Sequence, residues 1–174
     1  DIVRTGSDDS IAAHFVGSIV YIEQGIYSVS QFSPLLVIDG QQRLTTMSLL
    51  FLALIESLEK LSLEKREPID GFSPKKIRNY YLMNPEENDE RQYKLILSYA
   101  DKDTLIALIN NKALPKPHAY RVVENYNYFK TWMEHEGVDL AALCKGMLKL
   151  VIVEISLNRQ YDNPQLIFES MNST

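Results

Sequence analysis

The chain has 174 residues, a formal net charge of −5, and 45% apolar and 24% charged residues. This apolar content can build a core and excludes a mainly disordered chain, and the negative charge argues against a surface that coats DNA. The single cysteine, Cys144, excludes an intrachain disulfide and is typical of a reducing cytoplasm, where we expect the protein to reside. The most apolar stretch, residues 44–55, is shorter than the roughly 20 residues that span a bilayer, so no membrane segment is predicted.

The first predicted elements are a short helix and two strands. The N-cap residues at positions 7–10, Ser-Asp-Asp-Ser, stand before an apolar run and predict a helix start. The β-branched and aromatic residues 17–22 predict a strand, and the apolar run 35–38, which leads into an Asp-Gly turn, predicts a second. We expect these two strands to pair as neighbours, with residues 23–33 as a long hairpin connection.

Helices follow through most of the remaining chain. Over residues 44–61 apolar side chains recur at helical spacing around most of the circumference, which predicts a buried helix. Further helices are predicted at residues 74–82, 101–109, 122–136, 140–147 and from Pro164 onward. Residues 93–97 are ambiguous, with β-propensity favouring a strand, and residues 150–157 form the clearest strand. About three or four short strands with six or seven helices predict a helix-dominated α+β fold.

We interpret the chain, residues 1–174, as a single-domain fragment of a longer protein. It lacks an initiator methionine and stops directly after an apolar helical pattern. Residues 1–62 are expected to form a strand–turn–helix core and residues 63–149 a mostly helical insertion. Residues 150–174 are expected to supply a final strand and helix that return to the site.

The most informative segment is the polar turn between the second strand and the long helix. A strand that leads directly into a helix points backbone N–H groups and the positive end of the helix dipole at one spot, which suits an anion. Gly40 permits a positive φ or close approach of a phosphate, and Arg43 can fork two phosphate oxygens. Asp39 can hold a magnesium-bound water or cap the helix. Gln41 and Gln42 can contact a base, a ribose or an attacking water.

The alternative at this turn is a purely structural role. Asp-Gly is a common turn dipeptide, Asp39 would act as an N-cap, and Arg43 would pair with an acidic neighbour. Three consecutive functional side chains between two very apolar elements favour a binding site, because packing alone does not account for them.

Two further groups of residues are candidates. Glu169 and Asn172 are three residues apart and share one face of the last predicted helix. There Glu169 could orient a metal-bound water or accept a hydrogen bond from a nucleotide, and a solvated helix end is the alternative. A basic and aromatic cluster could contact a nucleic-acid backbone and stack bases, although such clusters are more often solvated faces. Its members are Lys75, Lys76, Arg78, Tyr80 and Tyr81.

Several site classes are excluded by the motifs that the sequence lacks. There is no Gly-x-x-x-x-Gly-Lys-Ser/Thr loop, no Gly-x-Ser-x-Gly elbow and no His-Glu-x-x-His spacing. A Walker-type NTPase is therefore excluded. Cys144 lies in a helical pattern without an evident base, so we interpret it as a core residue.

Residues 38–46, Ile-Asp-Gly-Gln-Gln-Arg-Leu-Thr-Thr, resemble the signature of the N-terminal domain of GmrSD-type modification-dependent restriction endonucleases. The likeness continues, in the same order and spacing, in residues 15–20, 125–129 and 168–174. The resemblance implies a small sheet related to the ParB and sulfiredoxin fold, which holds nucleotide phosphates at a strand–turn–helix junction. Sulfiredoxin chemistry itself is excluded, because Gln41 and Gln42 stand where that enzyme has Cys and His.

The resemblance further implies a sensor and regulatory domain of a phage-defence restriction system. Such a domain would bind and hydrolyse a nucleoside triphosphate, GTP or ATP, with Mg²⁺. Its expected partners are modified DNA and an HNH nuclease domain, which this chain lacks. The implied nucleotide-binding residues are Gly40, Gln41, Gln42, Arg43, Thr45 and Asn172. The implied catalytic residues are Asp39, which would also hold the metal, Gln42 and Glu169.

Two alternatives to a hydrolase remain open. One is a non-catalytic, nucleotide-gated DNA-binding module of the ParB-like type, in which the nucleotide acts as a conformational ligand. The other makes this chain itself a nuclease, which its acidic charge and lack of an HNH or similar metal cluster disfavour.

Overall fold

The computed structural model describes residues 1–23, 34–135 and 137–158. Its α-helices are α1 (Ile2–Ser7), α2 (Gln41–Glu59), α3 (Pro74–Ile77), α4 (Tyr99–Ile109), α5 (Tyr120–His135) and α6 (Leu140–Leu148). Its strands are β1 (His14–Glu23), β2 (Leu35–Asp39) and β3 (Leu150–Leu157). Short 3₁₀ turns lie at Leu63–Lys65 and Asp89–Gln92, and a π-helical turn lies at Arg78–Leu82. About 52% of the described residues are helical, which confirms the helix-dominated α+β class.

The chain divides into two compact units. One, here called the helical unit, comprises Asp1–His14 and Leu44–Lys149. The other, here called the sheet unit, comprises Phe15–Arg43 and Leu150–Thr174. In the described part of the chain, no helix combines the length and the hydropathy that crossing a membrane requires.

The sheet unit is built on a three-stranded mixed sheet in the order β2-β1-β3. Strands β1 and β2 pair antiparallel, with Tyr21 opposite Val37 and Ile22 opposite Leu36. This confirms the predicted neighbouring strands, and the connection between them falls largely outside the described residues. The register shifts by a bulge between Val20 and Tyr21, where the strand nears the β2–α2 turn. The relation to the ParB and sulfiredoxin fold stays a prediction.

One face of this sheet carries a small apolar core. Val20, Ile22 and Leu157 are buried together, and Ile38 packs against them. Because side chains alternate along a strand, three further β3 residues share the face of Leu157. These are Val151, Val153 and Ile155, which are 44%, 47% and 36% exposed.

The core of the helical unit is centred on α2. Ten consecutive or nearly consecutive residues of this helix are buried, as the apolar circumference of its sequence predicts. Helix α5 lies against it, where Glu56 accepts a hydrogen bond from the Tyr126 hydroxyl and pairs with the Lys130 ammonium at 2.6 Å. Helices α1 and α6 cross at Gly6 and Gly146, each of which closely approaches the backbone of the other helix.

The predicted helix start at residues 7–10 is wrong, because α1 ends there instead. The Asp8 carboxylate accepts hydrogen bonds from the Ser10 N–H and hydroxyl at 2.9 and 2.6 Å, and these bonds lower the pKa of Asp8. The Lys149 ammonium donates to the carbonyls of Thr5 and Asp8, both at 2.9 Å. A cation at a helix C-terminus is favourable, and Ser and Asp serve in turns as readily as in N-caps.

The strand favoured at residues 93–97 is also wrong. Tyr93 forms a single isolated bridge with Met83, and α4 begins soon afterwards at Tyr99. The helix predicted from Pro164 onward lies outside the described residues.

Candidate functional site

The polar turn predicted from the sequence lies between the end of β2 at Asp39 and the start of α2 at Gln41. Gly40 between them has a φ of 90°, a conformation that side chains with a β-carbon rarely adopt. A β-carbon at Gly40 would also lie 2.9 Å from the Ser18 carbonyl oxygen of β1. Glycine is therefore required here twice, by the backbone conformation and by the approach of the neighbouring strand.

The turn leads directly into the N-terminus of α2, the helix end at which the sequence predicts an anion site. The first N–H groups of any α-helix have no partner within the helix, and the helix dipole places partial positive charge at the same end. Helix α2 has 19 residues and no acidic residue in its first turn to offset this charge. Gly40 itself is buried, because β1 occupies the space beside its α-carbon.

Arg43, in the first turn of α2, reaches back to β1. Its Nη1 donates a hydrogen bond to the Ser18 carbonyl oxygen at 2.5 Å. The same atom lies 3.6 Å from Oδ2 of Asp39, so the acidic neighbour expected in the structural alternative is present. The two side chains are 38% and 27% exposed. An ion pair this accessible contributes about 0–1 kcal/mol, so a phosphate can compete for the guanidinium.

The two glutamines and Thr45 occupy different positions around the helix start. Gln41 donates a hydrogen bond from Nε2 to the Val37 carbonyl at 2.8 Å, which ties its amide to the end of β2. Gln42 is exposed in the same turn, where its amide is accessible to a ligand. Thr45 is half-buried one turn further along α2. The structure thus brings Asp39 and Arg43 together, and the Gln41 side chain forms a hydrogen bond within the turn.

The second predicted pair, Glu169 and Asn172, lies outside the described residues, and its part in the site stays a prediction. In the described part of the chain, no three His, Cys, Asp or Glu side chains are grouped as a ready metal site. A Mg²⁺ ion bound with a nucleotide needs only one or two carboxylates, because phosphates and water supply its other ligands.

Three members of the basic and aromatic cluster have structural contacts within the helical unit. Lys76 pairs with Glu67 and Asp70 at 2.6 and 2.9 Å. Arg78 donates to the Ile109 carbonyl at 2.6 Å. The Tyr81 ring stacks on Phe51, with the ring centroids 4.3 Å apart and the planes 6° from parallel. These partners account for Lys76, Arg78 and Tyr81 without a nucleic acid, whereas Tyr80 is 60% exposed.

Sequence reasoning missed the contribution of Gly17 and Ser18 in β1. A β-carbon at Gly17 would lie 2.5 Å from Nε of Arg43, so the guanidinium rests against the strand at this glycine. A glycine inside an otherwise β-branched strand signals a close approach of something to the backbone. That signal was present in the sequence, although it does not identify Arg43 as the partner.

The fold and the junction define the class of protein: a helix-rich α+β domain whose small sheet ends in a polar strand–turn–helix junction with an arginine in the first helical turn. The family model described as the GmrSD restriction endonuclease, N-terminal domain, matches residues 1–174, and the chain belongs to this family. It is therefore the N-terminal domain of a restriction system. A search of curated proteins found no match.

Proposed function

We propose that the chain binds a nucleoside triphosphate with Mg²⁺ at the β2–α2 junction, and that hydrolysis of the nucleotide regulates a nuclease domain acting on modified DNA. The observation that carries the proposal is the Arg43 guanidinium, which the Ser18 carbonyl holds at the N-terminus of α2. The guanidinium and the helix N-terminus together offer positive charge and N–H donors to one anion. The positive φ of Gly40 makes the tight turn that joins the end of β2 to this helix N-terminus.

The remaining site residues have roles that suit their positions. The partly exposed Asp39 carboxylate is the oxygen ligand that we assign to the metal, which would neutralise charge on the phosphates. The exposed Gln42 amide would orient the attacking water, and Thr45 would contact the nucleotide from the next turn. Glu169 and Asn172 are proposed to complete the site.

The contact between Asp39 and Arg43 favours a second candidate function, a nucleotide-gated DNA-binding module without hydrolysis. A carboxylate already paired with a cation at 3.6 Å is less available to hold a metal ion. In this alternative the triphosphate would act as a conformational ligand, and DNA affinity would change when it binds.

Titration calorimetry with GTP and ATP, each with Mg²⁺, tests the binding site. We expect micromolar binding that Arg43→Ala weakens by about tenfold or more, since a charge-assisted phosphate contact is lost. Arg121→Ala, which removes the same charge from the exposed surface of α5, is the matched control and should bind as the unaltered chain does. Equal affinity in Arg43→Ala and the unaltered chain would contradict the phosphate assignment.

Phosphate release separates the two candidate functions. Steady release from the bound nucleotide supports hydrolysis. Binding without release, together with DNA affinity that falls steeply as salt rises, supports the DNA-binding module.

A further inference from the structure

The β1 strand approaches Arg43 most closely at Gly17. A β-carbon built at Gly17 would lie 2.5 Å from Nε and 2.9 Å from Cζ of Arg43. Both distances are shorter than a van der Waals contact, so any side chain at position 17 would displace the guanidinium. Glycine weakens a strand interior and its φ here is 117°, so strand formation alone does not explain the residue.

The next residue supplies the polar contact. The Ser18 carbonyl accepts the hydrogen bond from Nη1 of Arg43 at 2.5 Å. The same oxygen lies 2.9 Å from the position that a β-carbon of Gly40 would take. Two glycines from separate segments therefore let the strand, the turn and the arginine meet at one carbonyl.

We infer that Gly17 and the Ser18 carbonyl are positioning elements that fix the Arg43 guanidinium for a triphosphate, an inference that rests on the proposed function. The Ser18 carbonyl accepts a hydrogen bond from one N–H group of the guanidinium, and strand β1 at Gly17 restricts the orientation of the guanidinium plane. An arginine that is ordered before binding loses less conformational freedom when a phosphate arrives. Gly17 acts through Arg43 and does not itself touch the ligand.

A double-mutant cycle with Mg²⁺ and GTP or ATP tests this coupling. We expect Gly17→Ala to weaken nucleotide binding by about tenfold, and Gly17→Ala combined with Arg43→Ala to bind no worse than Arg43→Ala alone. Gly71→Ala is the matched control. Gly71 also has a positive φ, 89°, yet no atom of the described residues lies within 4 Å of the position that its β-carbon would take. The control therefore introduces backbone strain without displacing Arg43. A Gly17→Ala loss that persists in full beside Arg43→Ala would overturn the inference.

A second measurement needs neither nucleotide nor an altered strand. The Nε–H NMR signal of Arg43 in the unaltered chain, assigned by its loss in Arg43→Lys, should show a rigid side chain. A signal averaged by free motion would overturn the inference even if nucleotide binds. A rigid Arg43 in a chain that binds neither nucleotide would refute the proposed function while supporting the fixed orientation of the arginine.

Discussion

Gly6 and Gly146 lie where helices α1 and α6 cross, and each faces a backbone carbonyl of the other helix. A β-carbon at Gly6 would lie 1.8 Å from the Ala142 oxygen, and one at Gly146 would lie 1.9 Å from the Ile2 oxygen. A helix of six residues is not stable by itself in water, so the order of α1 depends on this crossing.

Gly146→Ala is expected to destabilise the helical unit by about 1–3 kcal/mol, because the added methyl group must push two backbones apart. A decrease in stability is informative, because Gly→Ala within a helix ordinarily increases stability by about 1 kcal/mol. Urea unfolding measures the change. Lys145→Ala, at the exposed neighbouring position of α6, is the control and should alter the free energy of unfolding little. A higher midpoint in Gly146→Ala would show that the helices do not meet there.

Tyr126→Phe is expected to lower the free energy of unfolding by about 1 kcal/mol. The buried Tyr126 hydroxyl donates to Glu56, and its removal leaves that carboxylate with the Lys130 ammonium as a partner. Tyr128→Phe removes the same atom from a side chain that is 64% exposed and should be nearly neutral. Thermal or urea unfolding of the two variants gives the comparison, and equal effects would contradict the α2–α5 contact.

Cys144 is expected to be unreactive in the folded chain. Burial raises the pKa of its thiol from 9.0 to about 12, with a smaller contribution from the Asp139 charge, so the reactive thiolate is scarce at pH 8. Alkylation by iodoacetamide should therefore be slow in buffer and fast in urea. Rapid alkylation of the folded chain at pH 8 would contradict the buried position.

The same pKa shift has a consequence for stability at alkaline pH. The folded state binds the thiol proton more tightly than the unfolded state, so this stabilisation is complete below pH 9.0 and is lost as the pH rises toward about 12. Unfolding of Cys144→Ala across this range should show a shallower fall in stability than the unaltered chain. Identical pH profiles would show that the thiol does not contribute.

Asp39→Asn tests the proposed metal ligand. We expect Mg²⁺ to strengthen nucleotide binding by the unaltered chain but not by the variant, because the amide is a weaker ligand than the carboxylate. Without Mg²⁺ the variant should bind nucleotide at least as well, since a negative charge close to the phosphates is gone. Calorimetry with and without the metal measures both effects, with Asp103→Asn on the exposed face of α4 as the control. If Mg²⁺ strengthened nucleotide binding by Asp39→Asn as much as by the unaltered chain, Asp39 would have only a structural role in the turn.

The elements that could be predicted are those whose pattern is local. Six of the eight residues of β3 are apolar, four of them β-branched, and they predict a strand whose observed bounds agree with the prediction. The β2–α2 junction was also accessible, because the change from strand to helical period is abrupt at Gly40. Helix α2 begins at Gln41, three residues before the start predicted from the apolar spacing, because its first three residues are polar and do not contribute to that spacing.

The features that could not be predicted depend on contacts between residues that are distant in the chain. The turn after α1 uses the same Ser and Asp residues as a helix start, and its stabilising cation is Lys149, far along the sequence. Tyr93 does not belong to a strand, because among the described residues only Met83 forms a β-bridge with it. Arg43 donates its hydrogen bond to the backbone carbonyl of Ser18. Every residue has such a carbonyl, so the residue types in the sequence do not indicate which one Arg43 contacts.

Strand β3 also has a surface on which a second chain could pair with the described sheet. In the described sheet it has a neighbour on one side only, and it carries the exposed side chains of Val151, Val153 and Ile155. An edge strand rich in β-branched residues is a template on which a second chain can add, and a charge within it opposes stacking. Glu154 is that charge, since it is exposed between Val153 and Ile155. Glu154 is also the one charged residue of β3, so replacing it with an apolar side chain would leave this strand of the described sheet without a charge.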